Sequence, residues 1–229
     1  SLPPRAREEE TRNIWHDKDV IAEYDVVTDT ISPVLVDIHQ VFLSLNTTNI
    51  SVSPAEKTLQ IDGPTAGILP GMIAEGLDVN GDVIYSSVVI STGRVLPQNQ
   101  FPRNILFEDK ISSWDFDGIN HNFFHLHTIR FRNDFGRVLK FNVDADGNKI
   151  DNIITGINIL DDMLLWTDNE SEPKKVNITR GKFGSGDYWG FNSHTKLAIT
   201  NQWTGELVVN IDSKSHSLIQ EDNITVIRK

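Results

Sequence analysis

Three histidines, His121, His125 and His127, fall on the same side of an alternating stretch that runs to Phe131. Residues at even spacing on a strand project to one face, and imidazoles so placed suit zinc or iron once a neighbouring strand adds an Asp, Glu or His. These three are the candidate metal ligands of the chain. The same face also carries Phe123, Ile129 and Phe131, so the rim of an apolar core accounts for the histidines as well. A histidine cluster of this kind can also knit subunits together.

Asp144-Ala145-Asp146-Gly147-Asn148-Lys149-Ile150-Asp151 has the opening of a calcium loop, but Thr155 stands where the bidentate Glu belongs. A hairpin turn built from Asp, Gly and Asn explains it. Gly181–Gly190 is rich in glycine without the Gly-Lys-Ser/Thr ending of a phosphate loop. Its Tyr188 and Trp189 make it a contact loop in this reading. No Gly-x-Ser-x-Gly elbow is present, and the acid pairs Asp161-Asp162 and Asp115/Asp117 fall in turns, where solvated carboxylates are the default. With no cysteine, disulfides, thiolate metal sites and cysteine nucleophiles are excluded. The expectation is a protein that is not an enzyme and carries no cofactor.

The 229 residues suffice for one large or two small β domains with a proper core, and 38% hydrophobic with 23% charged residues is ordinary for a globular chain. A formal net charge of −11 with scattered Lys and Arg argues against a nucleic-acid surface, which needs clustered cations. No apolar run approaches the ~18 residues of a membrane span. Sequons such as Asn46-Thr47-Thr48 and Asn169-Glu170-Ser171 are what chance yields in a chain this rich in Asn, Ser and Thr. The chain opens on Ser1 and stops at Lys229 inside what reads as a strand, so a piece of a longer polypeptide is expected.

The elements that would position these residues are nearly all strands, because no stretch keeps a 3.6-residue apolar period over ten or more positions. Residues 1–19 are polar and read as an arm, extended or briefly helical at Arg5–Arg12. Val20–Thr28 and Val34–Leu45 are β-branched strands joined by a turn at Thr28–Ser32. Further strands are expected at Thr58–Asp62, Gly71–Gly76 and Val83–Ser91, the last two joined by an Asn80-Gly81 hairpin, and Thr92–Arg103 reads as a linker. Trp114–Gly118 reads as a turn. Val138–Val143, Lys196–Thr200, Leu207–Ile211 and Ile224–Arg228 complete the strand set.

The most structured stretch is Ile153–Arg180. Ile154, Ile157 and Ile159 lead into an Asp161-Asp162 turn, Met163–Trp166 run apolar, and Val176-Asn177-Ile178-Thr179 alternate after Pro173. This is the pattern of a three-strand antiparallel meander. Leu165-Trp166-Thr167-Asp168 resembles the YWTD repeat of receptor-type β-propellers, in which Trp packs between blades and Asp pins the turn. With one copy of the motif, a complete propeller is not expected. The longer string ITGINILDDMLLWTDNESEPKKVNI, residues 154–178, resembles a segment of large virion structural proteins of tailed bacteriophages, especially marine ones. The likeness covers roughly residues 130–229 well and the first half weakly. A weaker one, Ala66-Gly67-Ile68-x-Pro70-Gly71-Met72, links residues 49–112 to a small β module of phage tail and fibre proteins.

Together these readings give an all-β protein with an antiparallel sandwich-like or propeller-blade-like main domain. Residues 1–19 would form the arm, 20–48 and 113–229 the main domain, and 49–112 an inserted β module. The resemblance implies a structural role in a virion, in the tail or portal-proximal apparatus, with other copies of itself and other virion proteins as partners. Trp166, Asp168, Pro173, Ile157 and Ile159 are the expected fold residues, and Tyr188, Trp189 and the arm the expected contacts. The alternative is a carbohydrate- or host-receptor-binding module using Trp189, Trp203 and Tyr188.

Overall fold

The structure, a computed structural model, describes residues 14–44, 50–52, 57–61, 67–92, 103–109, 128–133, 136–141, 153–168, 171–186, 190–209 and 218–226. The chain forms two compact units, Ser1–Asp17 with His39–Asp134 and Lys18–Ile38 with Phe135–Lys229. These divisions differ from the borders at 19/20, 48/49 and 112/113 expected from the sequence. Residues 14–19, expected in the arm, belong to a strand. The fold is mostly β and antiparallel, as the alternation of β-branched residues requires.

The two longest strands are β1 (Ile14–Asp25) and β2 (Thr30–Ser44). Between them Asp25 accepts hydrogen bonds from the backbone N–H of Val27 and Thr28, which holds its carboxyl below the usual range. Asp29 sits at φ 51° and its carboxylate accepts from the Tyr24 hydroxyl. Asp tolerates this left-handed position better than most side chains.

The first unit contains β3 (Ile50–Val52), β4 (Thr58–Ile61), β5 (Ile73–Leu77), β6 (Val83–Thr92), β7 (Arg103–Phe107) and β8 (Thr128–Arg132). The sheet order is β1-β2-β8-β5-β6-β7-β4-β3, with Gln40–Ser44 of β2 paired to β8. The β5–β6 hairpin turns where the Asn-Gly pair predicts it. Asp78 accepts from Asn80 N–H at 2.8 Å and Asp82 N–H at 2.9 Å, and Gly81 takes φ 88°. On β8, Ile129 and Phe131 are buried, while Arg130 and Arg132 reach Glu75 at 2.8 and 2.9 Å. Burial would raise the Glu75 carboxyl, but the hydrogen bonds and charges of Arg132 and Arg130 outweigh it and hold the carboxyl below its ordinary value.

The second unit contains the meander β9 (Gly156–Leu160), β10 (Met163–Thr167) and β11 (Lys174–Asn177), in spatial order β11-β10-β9. Then come α1 (Ile178–Gly184), a 3-10 turn at Gly190–Asn192, β12 (Ala198–Thr200), β13 (Leu207–Val209) and α2 (Glu221–Ile224). Val34, Leu35, Val138, Leu139, Trp166, Val176, Ile219 and Ile224 form its buried core. A side chain the size of Trp removes about 150–250 Å² from water, worth about 4–6 kcal/mol at ~25 cal/mol per Å² as an upper bound.

Four local expectations are corrected here. Val138–Phe141 is a bend and turn, because the Asp37 carboxylate takes the N–H groups of Val138 and Leu139 at 2.6 and 2.7 Å, leaving neither for a ladder. Ile178–Thr179, expected to extend the third strand, starts α1 instead. Asn177 caps that helix by accepting from Arg180 N–H at 2.8 Å. The glycines at 181 and 184, read as loop, are packing residues within the helix. A Cβ at Gly181 would lie 2.4 Å from the Val34 carbonyl, and one at Gly184 would lie 2.1 Å from the Lys196 carbonyl. The expected strand at 224–228 is overtaken by α2, whose first turn places Glu221 between Lys140 and Lys174, each at 2.6 Å. Beyond it only Thr225 makes a bridge, to Lys174, among the described residues.

Candidate functional site

The residues singled out from sequence meet different fates. His121, His125, His127, Tyr188 and Trp189 lie outside the described residues, as does the Asp144–Asp151 loop. Trp166 is buried in the core, and Asp168 pins the turn after β10 by accepting from the N–H and hydroxyl of Ser171, both at 2.8 Å. The Pro173 carbonyl accepts from Val226 N–H at 3.0 Å. These three hold the fold. Ile157 and Ile159, expected to do the same, are instead exposed at 71% and 61%.

The reason lies in the register of the meander. Trp166 pairs with Ile157 and Leu164 with Ile159, so each pair shares one face of the sheet. Trp166 and Leu164 pack on the core, but β9 lies one strand further out and overhangs it. All five of its residues are exposed, and Leu160 on the opposite face is 64% exposed. The turn between β9 and β10 is tied to α1: Asp161 takes φ 54°, and Asp162 receives Ile178 N–H on its carbonyl and Thr179 N–H on its carboxylate. The result is an apolar edge strand that carries no charge.

A second group, Asp37, Ser185, His194 and Thr195, has the residue types of a hydrolytic triad but a different geometry. All four are at most 1% exposed. His194 Nδ1 accepts from Ile38 N–H at 3.1 Å, and Nε2 faces the Ile219 carbonyl at 3.0 Å. With Nδ1 taken by the Ile38 N–H, Nε2 is the nitrogen placed to donate to the Ile219 carbonyl, and the Asp37 carboxylate stands 3.7 Å from Nδ1, beyond hydrogen-bond distance. The Thr195 hydroxyl accepts from Val36 N–H at 2.7 Å and bonds the Ser185 hydroxyl at 2.6 Å, while Thr195 N–H donates to the Val36 carbonyl at 2.9 Å. His194 and Thr195 thus stand in for a neighbouring strand along β2. With both ring nitrogens held by backbone, His194 has no free nitrogen with which to activate Ser185.

The third feature is a cavity of about 300 Å³ lined by residues of β10, β11, α1, β12 and α2. Lys175, Arg180 and Lys196 stand in its wall. Strand alternation splits Lys174 and Lys175: Lys174 turns inward to Glu221, and Lys175, on the other face of β11, is among the residues that border the cavity. Burial would raise the Glu221 carboxyl, but hydrogen bonds and charge from Lys140 and Lys174 overcome this and lower it. Among the described residues no helix is long and apolar enough to cross a membrane. Comparison with protein-family models, with curated proteins and with solved structures gives no match.

Proposed function

We propose that this chain is a structural component of a bacteriophage virion, in the tail or portal-proximal apparatus, that packs subunit against subunit through the β9 edge. The carrying observation is that overhang: an edge strand with Ile157, Ile159 and Leu160 exposed and none of the guards, such as Lys, Pro or a bulge, that keep edges from pairing. Contiguous exposed apolar surface of this sort marks a protein contact. The same strand lies inside residues 154–178, the stretch that resembles virion proteins.

The test is mass spectrometry of purified phage particles with chemical cross-linking. The expected result is the chain at a fixed copy number, with cross-links that join the meanders of neighbouring subunits. A chain absent from every particle and monomeric by light scattering overturns the reading.

The alternative, a carbohydrate- or host-receptor-binding module, is favoured by one residue. Trp203 is 95% exposed in the β12–β13 turn, where Asn201 accepts its N–H at 2.9 Å. Glycan binding that disappears in Trp203→Ala would support this second reading, and glycan arrays that stay blank would remove it.

A further inference from the structure

The cavity of the second unit is built in a way that the packing role does not use. At about 300 Å³ it falls at the small end of ligand sites, which run from about 300 to 1,000 Å³. It is about twice the ~150 Å³ hole that admits a benzene, so a ligand of roughly ten heavy atoms fits. Met163, Val176, Leu197, Ala198, Ile219 and Ile224 are the apolar residues of its lining.

The charge of its wall runs against the rest of the chain. Acidic residues outnumber basic ones 32 to 21, yet the charged residues among the described lining are Lys175, Arg180 and Lys196, with no carboxylate. Cations without a carboxylate among the described lining favour an anionic ligand in a protein of net negative charge. Arg180 is also oriented. Its backbone N–H is tied to Asn177, and its Nη2 donates to the Thr200 hydroxyl at 2.9 Å. A guanidinium has five N–H donors in a planar fork, so this single tie aims the group and leaves donors for an oxyanion.

We propose that the cavity binds a small amphiphilic oxyanion, with its carboxylate or phosphate-ester head on Arg180 and a short unbranched tail on the apolar lining. Neither half suffices: a bare anion leaves the apolar lining wet, and a neutral tail forgoes the charge-assisted hydrogen bonds that the Arg180 guanidinium can give.

Isothermal titration calorimetry on the full chain tests this with octanoate, octyl phosphate, octanol and inorganic phosphate. Octanoate or octyl phosphate, or both, should bind about tenfold or more tightly than octanol, and the tighter of the two identifies the head group. Octyl phosphate should also exceed inorganic phosphate. Arg180→Gln should weaken the bound amphiphile about tenfold while leaving the melting temperature unchanged, since Arg180 is exposed. Equal binding of octanol and octanoate, equal binding of inorganic and octyl phosphate, an unaffected Arg180→Gln variant, or no binding by any probe overturns the proposal. Presence or absence of the chain in phage particles leaves this outcome unmoved, so the two readings fail separately.

Discussion

Trp166 and Ile157 stand directly opposite each other across the β10–β9 ladder, and the first is 4% exposed while the second is 71% exposed. The same sheet face therefore serves as core on one strand and as open surface on the next.

Replacing Ile159 by Lys should leave stability within about 0.5 kcal/mol, because the side chain is already in water. It should lower self-association, since a Lys on an edge opposes strand pairing. Light scattering across a concentration series reads the second effect and thermal melting the first.

Gly184→Ala should destabilise by about 2–3 kcal/mol or more, because its Cβ meets the Lys196 carbonyl, a backbone atom unable to swing away. Gly205→Ala should cost only about 1–2 kcal/mol, through its φ of +72° alone, since nothing lies within 4 Å of the added carbon. Urea midpoints of the two variants, compared side by side, should fall in that order.

His194→Ala should cost about 2–4 kcal/mol. It strips the Ile38 N–H and the Ile219 carbonyl of their buried partner and leaves a cavity as well. A midpoint equal to wild type would show that the ring does not fasten β2.

The ion pairs at Glu75 give a pH signature. Its folded carboxyl lies below the ordinary 4.5, so the unfolded chain binds more protons as pH falls through that range. The stabilisation is complete above pH 4.5 and disappears as pH drops through the lower folded value. Glu75→Gln should therefore be less stable than wild type at neutral pH, with the gap closing in acid. Chemical unfolding at pH 7 and at about pH 3 checks this. A gap that stays constant would mean that Arg130 and Arg132 do not set it.

Much of the fold was legible because its signals are local. Asn80-Gly81 and Asp161-Asp162 mark turns through their own backbone preferences, and Asp168 caps a turn three residues away. The glycines at 181 and 184 misled for a physical reason. Glycine signals a loop where it is free, yet here it is required so that a helix can approach the backbone of β2 and of Lys196. The candidate site was less legible still. Lys175, Arg180 and Lys196 are scattered along the chain and meet only around the cavity.

By itself the sequence determined an antiparallel, nearly all-β chain with a Trp–Asp-pinned meander, since alternation and turn chemistry act over a few residues. Tertiary structure alone decided which of two adjacent lysines is buried, which isoleucines stay in water, and that Thr195 closes the edge of β2 across 159 positions of sequence. Those outcomes depend on what lies opposite a side chain in space, and nothing in its own neighbourhood of the chain encodes that.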